Sequence, residues 1–320
     1  MDIMLRIISN NKIILFMIVI ITTGGLMAAC GDEAIPEEST KVEEQEQNPD
    51  NEKSEEQSED EQQTTQTIEI AYVNWADCVA TTYLAKEILE EEMGYEVELT
   101  MADPGPIYTD IAEGEHDVFL GGWLPITHEE YWEEYQDKVD KISPNFEGAR
   151  IGLVVPDYVD IDSIEDMNDV TDKFDGEIIG IDPGAGIMQT TETALEEYGL
   201  NFNLIEGSDP AMATALQESI EEEEWVVVTG WIPHWKFATW DLEFLEDPKK
   251  VYGEQENIYN IGRSDLEQDL PEVREFLEEF QLSQQGLGEL MADINETEDE
   301  EESAKRWIED NSDKVEDWTP

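Results

Sequence analysis

Val118-Phe-Leu-Gly-Gly-Trp123-Leu-Pro125 returns in the second half of the chain as Val226-Val-Val-Thr-Gly-Trp231-Ile-Pro233. In both copies an apolar run reads as a strand and delivers Gly-Trp-apolar-Pro at its carboxyl end. The segments ahead of the copies match as well. Ile68-Glu-Ile-Ala-Tyr-Val73 has strand character, Asn74-Trp75-Ala76-Asp77 reads as a loop, a helix follows to about Met93 and stops at Gly94, and Tyr95-Glu-Val-Glu-Leu99 is the next strand. Farther on, Glu177-Ile-Ile-Gly-Ile181 reads as a strand, Asp182-Pro-Gly-Ala-Gly186 as a loop, Ile187 to Tyr198 as a helix stopped by Gly199, and Phe202-Asn-Leu-Ile205 as a strand. Strand, loop, helix, strand is the grammar of a parallel α/β sheet, and its return is a weak internal repeat of long period. Two similar α/β halves predict two lobes facing one another. Leu242 to Arg263 reads as a return crossing, and helices are expected at Leu270–Phe280 and Glu300–Glu309.

The composition narrows the partners. Among 320 residues, 81 are acidic and 17 basic, so the formal net charge is −64. Such a chain repels phosphate backbones, and it shows no basic stripe, so nucleic acid is excluded as a partner. Adaptation to a salty medium explains the excess of carboxylates, since dense counterions screen their mutual repulsion. The plainer alternative is an acidic, soluble surface.

The chain opens like a secretory segment. Arg6 and Lys12 precede an uncharged, apolar run from Ile13 to Ala29, which is short for a membrane span of roughly 20 residues. Met27-Ala28-Ala29-Cys30 resembles the lipobox of bacterial lipoproteins, so residues 1–29 are expected to be a signal peptide and Cys30 the lipidated new N-terminus. An uncleaved anchor helix is the alternative, and either version leaves the protein outside the cytoplasm. From Gly31 to Gln66 the sequence holds 14 acidic and two basic residues with almost nothing apolar. It cannot bury enough surface to offset its ordering entropy and reads, over residues 30–66, as a disordered tether. Apart from Cys30 only Cys78 remains, read as a small buried side chain, so neither an internal disulfide nor a cysteine metal cluster is expected.

In open α/β sheets ligands sit beyond the carboxyl ends of the strands, where this chain presents Trp75, Trp123 and Trp231. Indole faces carry a negative quadrupole, so several of them around a pocket form a cage for a quaternary ammonium, at up to about 2 kcal/mol per desolvated contact. A single loop tryptophan is more often core; three at equivalent positions point to a site. Asp182-Pro-Gly-Ala-Gly-Ile-Met188 is a Gly-rich turn opening a helix, whose free N–H groups suit an anion such as a carboxylate, although the same residues are equally a tight turn. His128 and His234 follow Trp123 and Trp231. Each is read either as a donor to a carboxylate in the cleft or as a surface or cap histidine. With Cys78 they lack zinc spacing, so no metal and no cofactor is expected. No Gly-x-Ser-x-Gly elbow appears, and the chain is not expected to be an enzyme.

Five segments in order carry a resemblance: Ala71-Tyr-Val-Asn-Trp75, Gly122-Trp-Leu-Pro-Ile-Thr-His128, Gly152-Leu-Val-Val-Pro156, Gly180-Ile-Asp-Pro-Gly-Ala-Gly-Ile-Met188 and Thr229-Gly-Trp-Ile-Pro-His-Trp235. Over Ile68 to Thr319 the chain resembles the glycine betaine/proline betaine-binding proteins of bacterial ABC importers. The resemblance implies a two-lobed periplasmic-binding-protein fold, type II-like, that closes by a hinge over the inter-lobe cleft. Lobe one is expected over 67–152 plus 243–320 and lobe two over 153–242. It assigns Trp75, Trp123 and Trp231 to the ammonium cage, and the backbone N–H groups of Gly186 and Ile187 with the His128 side chain to the ligand carboxylate. It also implies a monomer, tethered to the membrane through its N-terminal lipid, that hands glycine betaine or a similar zwitterion to a transmembrane permease and its ATPase. Choline, carnitine or a dimethylsulfonio acid are the neighbouring ligands. An extracytoplasmic α/β hydrolase or an adhesion lipoprotein are the readings from other classes.

Overall fold

The computed structural model describes residues 66–320. The expected signal peptide over 1–29, the expected lipidation site Cys30 and, Gln66 aside, the expected tether over 30–66 lie outside the described residues. The first half is β1 (Thr67–Tyr72), α1 (Ala76–Glu91), β2 (Glu96–Met101), α2 (Pro104–Glu113), β3 (Val118–Leu124) and α3 (Glu129–Tyr135). A long strand, β4 (Val139–Pro156), leads through a 3₁₀ segment at Ile164–Phe174 into β5 (Glu177–Ile179), α4 (Gly186–Tyr198), β6 (Asn203–Ile205), α5 (Asp209–Glu222), β7 (Val228–Ile232), α6 (Lys236–Thr239) and β8 (Leu242–Phe244). The chain then returns through β9 (Glu256–Arg263) to α7 (Leu266–Asp269), α8 (Pro271–Glu279), α9 (Gln284–Thr297), α10 (Glu300–Asp310) and α11 (Ser312–Trp318).

Pairing runs β2-β1-β3-β9-β4-β7-β5-β6, with β8 on β4. The parallel pairs are the ones that the strand–helix–strand reading requires: β1 with β2 and β3, and β5 with β6 and β7. Antiparallel β9 and β4 join the two parallel groups. β4 pairs with β9 as far as Ala149, then with β7 from Arg150 to Val154, so one strand serves both halves. The repeated Gly-Trp has a packing reason. A Cβ at Gly122 would strike the Ile261 side chain of β9, and one at Gly230 would strike Val154 of β4, so both crossings need a residue without a side chain just before the tryptophan.

Ile68, Ile70, Val118 and Phe119 in the first half and Ile178, Leu216, Val227 and Val228 in the second are buried in one continuous core. α9 and α10 cover α1. Two of the nine tryptophans work purely as core here: Trp307 and Trp318 stack at 5.7 Å, and Phe280 meets Trp318 edge-on at 5.0 Å.

Several local expectations shift. Ala76 and Asp77 are helical rather than loop, because α1 starts directly after Trp75, its N-cap residue. The second copy of the repeat pairs from Val228, not Val226. The return crossing resolves into β8, a connecting segment and β9. α9 was not legible, since Gly286 and Gly288 in its first turns lower helix propensity; the Ser283 hydroxyl accepts the Gly286 N–H and starts it.

Candidate functional site

The carboxyl ends of β1, β3, β5 and β7 converge on one pocket. Trp75, Trp123 and Trp231 line it together with Thr127, Ile151, Ile181, Ala185, Gly186 and Ile187. Each indole is at most 5% exposed. No charged side chain is among the lining residues. The site is an apolar, aromatic pocket at the strand ends.

One helix start lines this pocket. Gly186 and Ile187 are the first two residues of α4, no side chain caps that helix, and N–H groups at such positions have no carbonyl one turn back to meet. The helix dipole adds a partial positive charge there. Gly186 also lies hard against the first half: a Cβ on it would run into the carbonyl oxygen of Thr127. Thr127 is itself fixed by Glu256 of β9, which accepts the N–H groups of Ile126 at 2.9 Å and Thr127 at 3.1 Å and the Thr127 hydroxyl. Burial pushes the Glu256 carboxyl up.

His128 is buried beside the pocket but is not among its lining residues. Its Nδ1 accepts from the Trp123 N–H at 3.2 Å and stands 3.3 Å from the Tyr108 hydroxyl. Nε2 then carries the proton and has no partner among the described residues. Burial lowers the pKa of the ring to about 3, so the imidazole is neutral. Its ring lies 5.8 Å from that of Trp75.

His234 goes elsewhere. Its Nε2 meets Asp209 Oδ1 at 2.9 Å, and its Nδ1 accepts the Lys236 N–H at 3.1 Å. Burial, helped by Lys236, lowers its pKa to about 4. The other oxygen of Asp209 accepts the Ala76 N–H at 2.9 Å, at the start of α1 in the opposite half. Burial pushes the Asp209 carboxyl up, but His234, Lys236 and that N–H outweigh it and hold it below its ordinary value. Two more bonds cross the same way: Trp231 Nε1 donates to Asp77 Oδ1 at 2.9 Å, and the Tyr131 hydroxyl donates to the Gly184 carbonyl at 2.8 Å.

The three tryptophans, Gly186 and Ile187 are therefore brought together, His128 stands one layer behind, and His234 supports the second half. Asp77, Asp209, Lys236, Thr127 and Glu256 were missed in the sequence. Among 81 acidic residues no local pattern marks the buried ones. Cys78 is buried and free, and burial pushes its thiol up to about 12, which makes it inert at neutral pH. No group of three or more metal-ligating side chains occurs among the described residues.

This is the two-lobed fold of the periplasmic binding proteins, with a pocket at the strand ends of both halves. A model of the substrate-binding domain of ABC-type glycine betaine transport systems matches residues 66–310. The chain belongs to that family. The glycine betaine/carnitine transport binding protein GbuC of Listeria monocytogenes is 43% identical over 154 residues, which are 47% of this chain and 51% of that one, so the match spans about half of that relative. Lactococcal OpuAC, in its closed conformation with glycine betaine, superimposes with a TM-score of 0.76 at 36% identity over 80% of this chain and 100% of that chain. A choline-binding protein of an ABC transporter, in complex with choline, does so with a TM-score of 0.73 at 29% identity, over 79% and 91% of the two chains.

Proposed function

We propose that this chain is the extracytoplasmic receptor of an ABC importer and captures glycine betaine, with the indoles of Trp75, Trp123 and Trp231 around the quaternary ammonium and the Gly186 and Ile187 N–H groups on the carboxylate. The observation that carries this is the pocket itself: three indoles and one uncapped helix start line the same enclosure, with no charged side chain in it. A methylated ammonium offers no hydrogen bond and finds its attraction in π faces, while a carboxylate finds it in free N–H groups. Three desolvated contacts at up to about 2 kcal/mol each, with the anion contacts, reach the roughly 8 kcal/mol of a micromolar complex. His128, whose Nε2–H is unpartnered and buried beside Trp75, supplies a further donor to the carboxylate.

Lobe one spans 67–152 plus 243–320 and lobe two 153–242, and the exchange of partners along β4 supports a hinge there. Asp209–Ala76, Asp77–Trp231 and Tyr131–Gly184 then act as latches between lobes. The receptor works as a monomer, held to the membrane by lipid on Cys30, and delivers its ligand to a permease and its ATPase without transforming it. Its net charge of −64 suits a salty medium, where such a solute protects against osmotic stress.

Choline is the second reading, favoured by the choline-bound neighbour; it shares the cation but leaves the N–H groups of Gly186 and Ile187 without an anion. Calorimetric titration of the full chain with glycine betaine, carnitine, a dimethylsulfonio acid and choline separates them. Glycine betaine is expected to bind in the micromolar range and choline at least about tenfold more weakly, the equivalent of one lost hydrogen bond to a charged group. Equal or tighter binding of choline would contradict the carboxylate site.

A further inference from the structure

Behind the pocket lies a charge that betaine capture does not require. Lys236, the first residue of α6, is fully buried, and its ammonium stands 4.1 Å from the centroid of the Trp231 ring. Its Nζ has no hydrogen-bond partner among the described residues. Trp231 lines the pocket and Lys236 does not, so the ammonium lies against a part of the indole turned away from the ligand space. Filling that space alone would call for a methionine or leucine, because an ammonium loses its hydration when buried.

The groups facing Lys236 come from every neighbouring element. α1 contributes Asp77, which also accepts the Trp231 indole N–H, and the start of α5 contributes Asp209; these two acids are the charges that hold the ammonium in its charged form. The turn before α6 contributes neutral His234, and α6 itself the Phe237 ring at 5.8 Å.

We propose that Lys236 sets the affinity of the pocket, as a resident cation on Trp231 that draws on the same π system as the ligand's ammonium and keeps binding weaker than three free indoles would make it. Two cations flanking one ring repel each other, and each competes for the ring's negative potential. A receptor that must release its ligand to a permease gains from such a ceiling. The role of Lys236 rests on the assignment of Trp231 to the ammonium cage.

The ceiling responds to pH. Burial lowers the pKa of Lys236 from 10.5 to about 8, against the opposing pull of Asp209 and Asp77, so its charge disappears as the pH rises through that value. Burial raises Asp77 to about 7, so it has gained its negative charge by then, and Asp209 is ionised throughout. Both changes make the surroundings of Trp231 less positive, so affinity rises with pH.

The test is calorimetric titration of the full chain with glycine betaine at fixed ionic strength, at pH 7 and pH 9.5, for wild type, Lys236→Met and Lys236→Arg. Wild type is expected to tighten by about tenfold between the two values, as removal of a like charge at an effective dielectric of about 20 implies. Lys236→Met is expected to bind more tightly than wild type at pH 7. Lys236→Arg keeps its charge, so only the remaining ionisation of Asp77 acts on it and its affinity rises by less than that of wild type. A purely structural lysine would instead show weaker binding on substitution and no wild-type step. Weaker binding by a folded Lys236→Met, or a wild-type affinity flat from pH 7 to 9.5, overturns the proposal and leaves the betaine reading standing; absence of any wild-type binding overturns both.

Discussion

The two Gly-Trp-apolar-Pro copies share a backbone and differ in chemistry. Leu124–Pro125 and Ile232–Pro233 are both cis, both tryptophans enter the same pocket, and a histidine follows each. In the first copy the histidine turns back on its own strand, with Nδ1 on the Trp123 N–H and Nε2 unpartnered. In the second it is consumed by Asp209, and the tryptophan is flanked by Asp77 and Lys236. A repeat reproduces where a side chain starts; what it does is set by residues from elsewhere in the chain. The first copy is built as a neutral arm and the second as a charged one.

Removing Asp209 probes that difference with the largest expected effect. Asp209→Ala leaves His234 Nε2 and the Ala76 N–H unpartnered and takes one of two counter-charges from Lys236, so it should cost about 3–5 kcal/mol in urea unfolding, as breaking a buried ion cluster does. His128→Ala in the neutral arm should cost less, and equal losses would break the comparison. Next in size, Trp123→Ala should weaken glycine betaine binding by about thirtyfold in calorimetry, the equivalent of one desolvated cation–π contact of about 2 kcal/mol. Unchanged affinity would remove Trp123 from the cage.

The scaffold and the pocket residues were legible in the sequence because they depend on short-range patterns. Strand periodicity, the glycines that stop α1 and α4, and the paired Gly-Trp motifs each lie within a few residues of one another. The residues behind the pocket were not legible, because their roles arise from long-range encounters. Asp209 meets Ala76, Asp77 meets Trp231 and Glu256 meets Thr127 from distant parts of the chain. Lys236 reads as an ordinary solvated lysine until α6 is seen to bury it. The place of His128 one layer behind the lining residues was not legible, since it follows from Tyr108 and the Trp123 N–H claiming its Nδ1.

Acid distinguishes the neutral arm more finely. His128 has its folded pKa depressed from 6.5 to about 3 by burial. The unfolded chain therefore takes up a proton that the folded chain refuses, and the histidine's contribution to stability, complete above pH 6.5, is lost as the pH falls. Between pH 7 and pH 5 wild type should lose about 2 kcal/mol more stability than His128→Gln, at 1.36 kcal/mol for each pKa unit. Parallel losses in the two proteins would mean that His128 is protonated in the fold. The smallest difference concerns the indole N–H of the charged arm. Trp231→Phe strands the buried Asp77 carboxyl and should cost about 1 kcal/mol in thermal unfolding through that lost bond; no loss would show that Asp77 finds another donor.

A crystal structure of the glycine betaine complex tests the aromatic cage most directly. The quaternary nitrogen should lie within about 6 Å of the ring centroids of Trp75, Trp123 and Trp231, with the carboxylate accepting from the N–H groups of Gly186 and Ile187. A nitrogen seated against Asp182 or Asp209, with the indoles turned to the core, would contradict it.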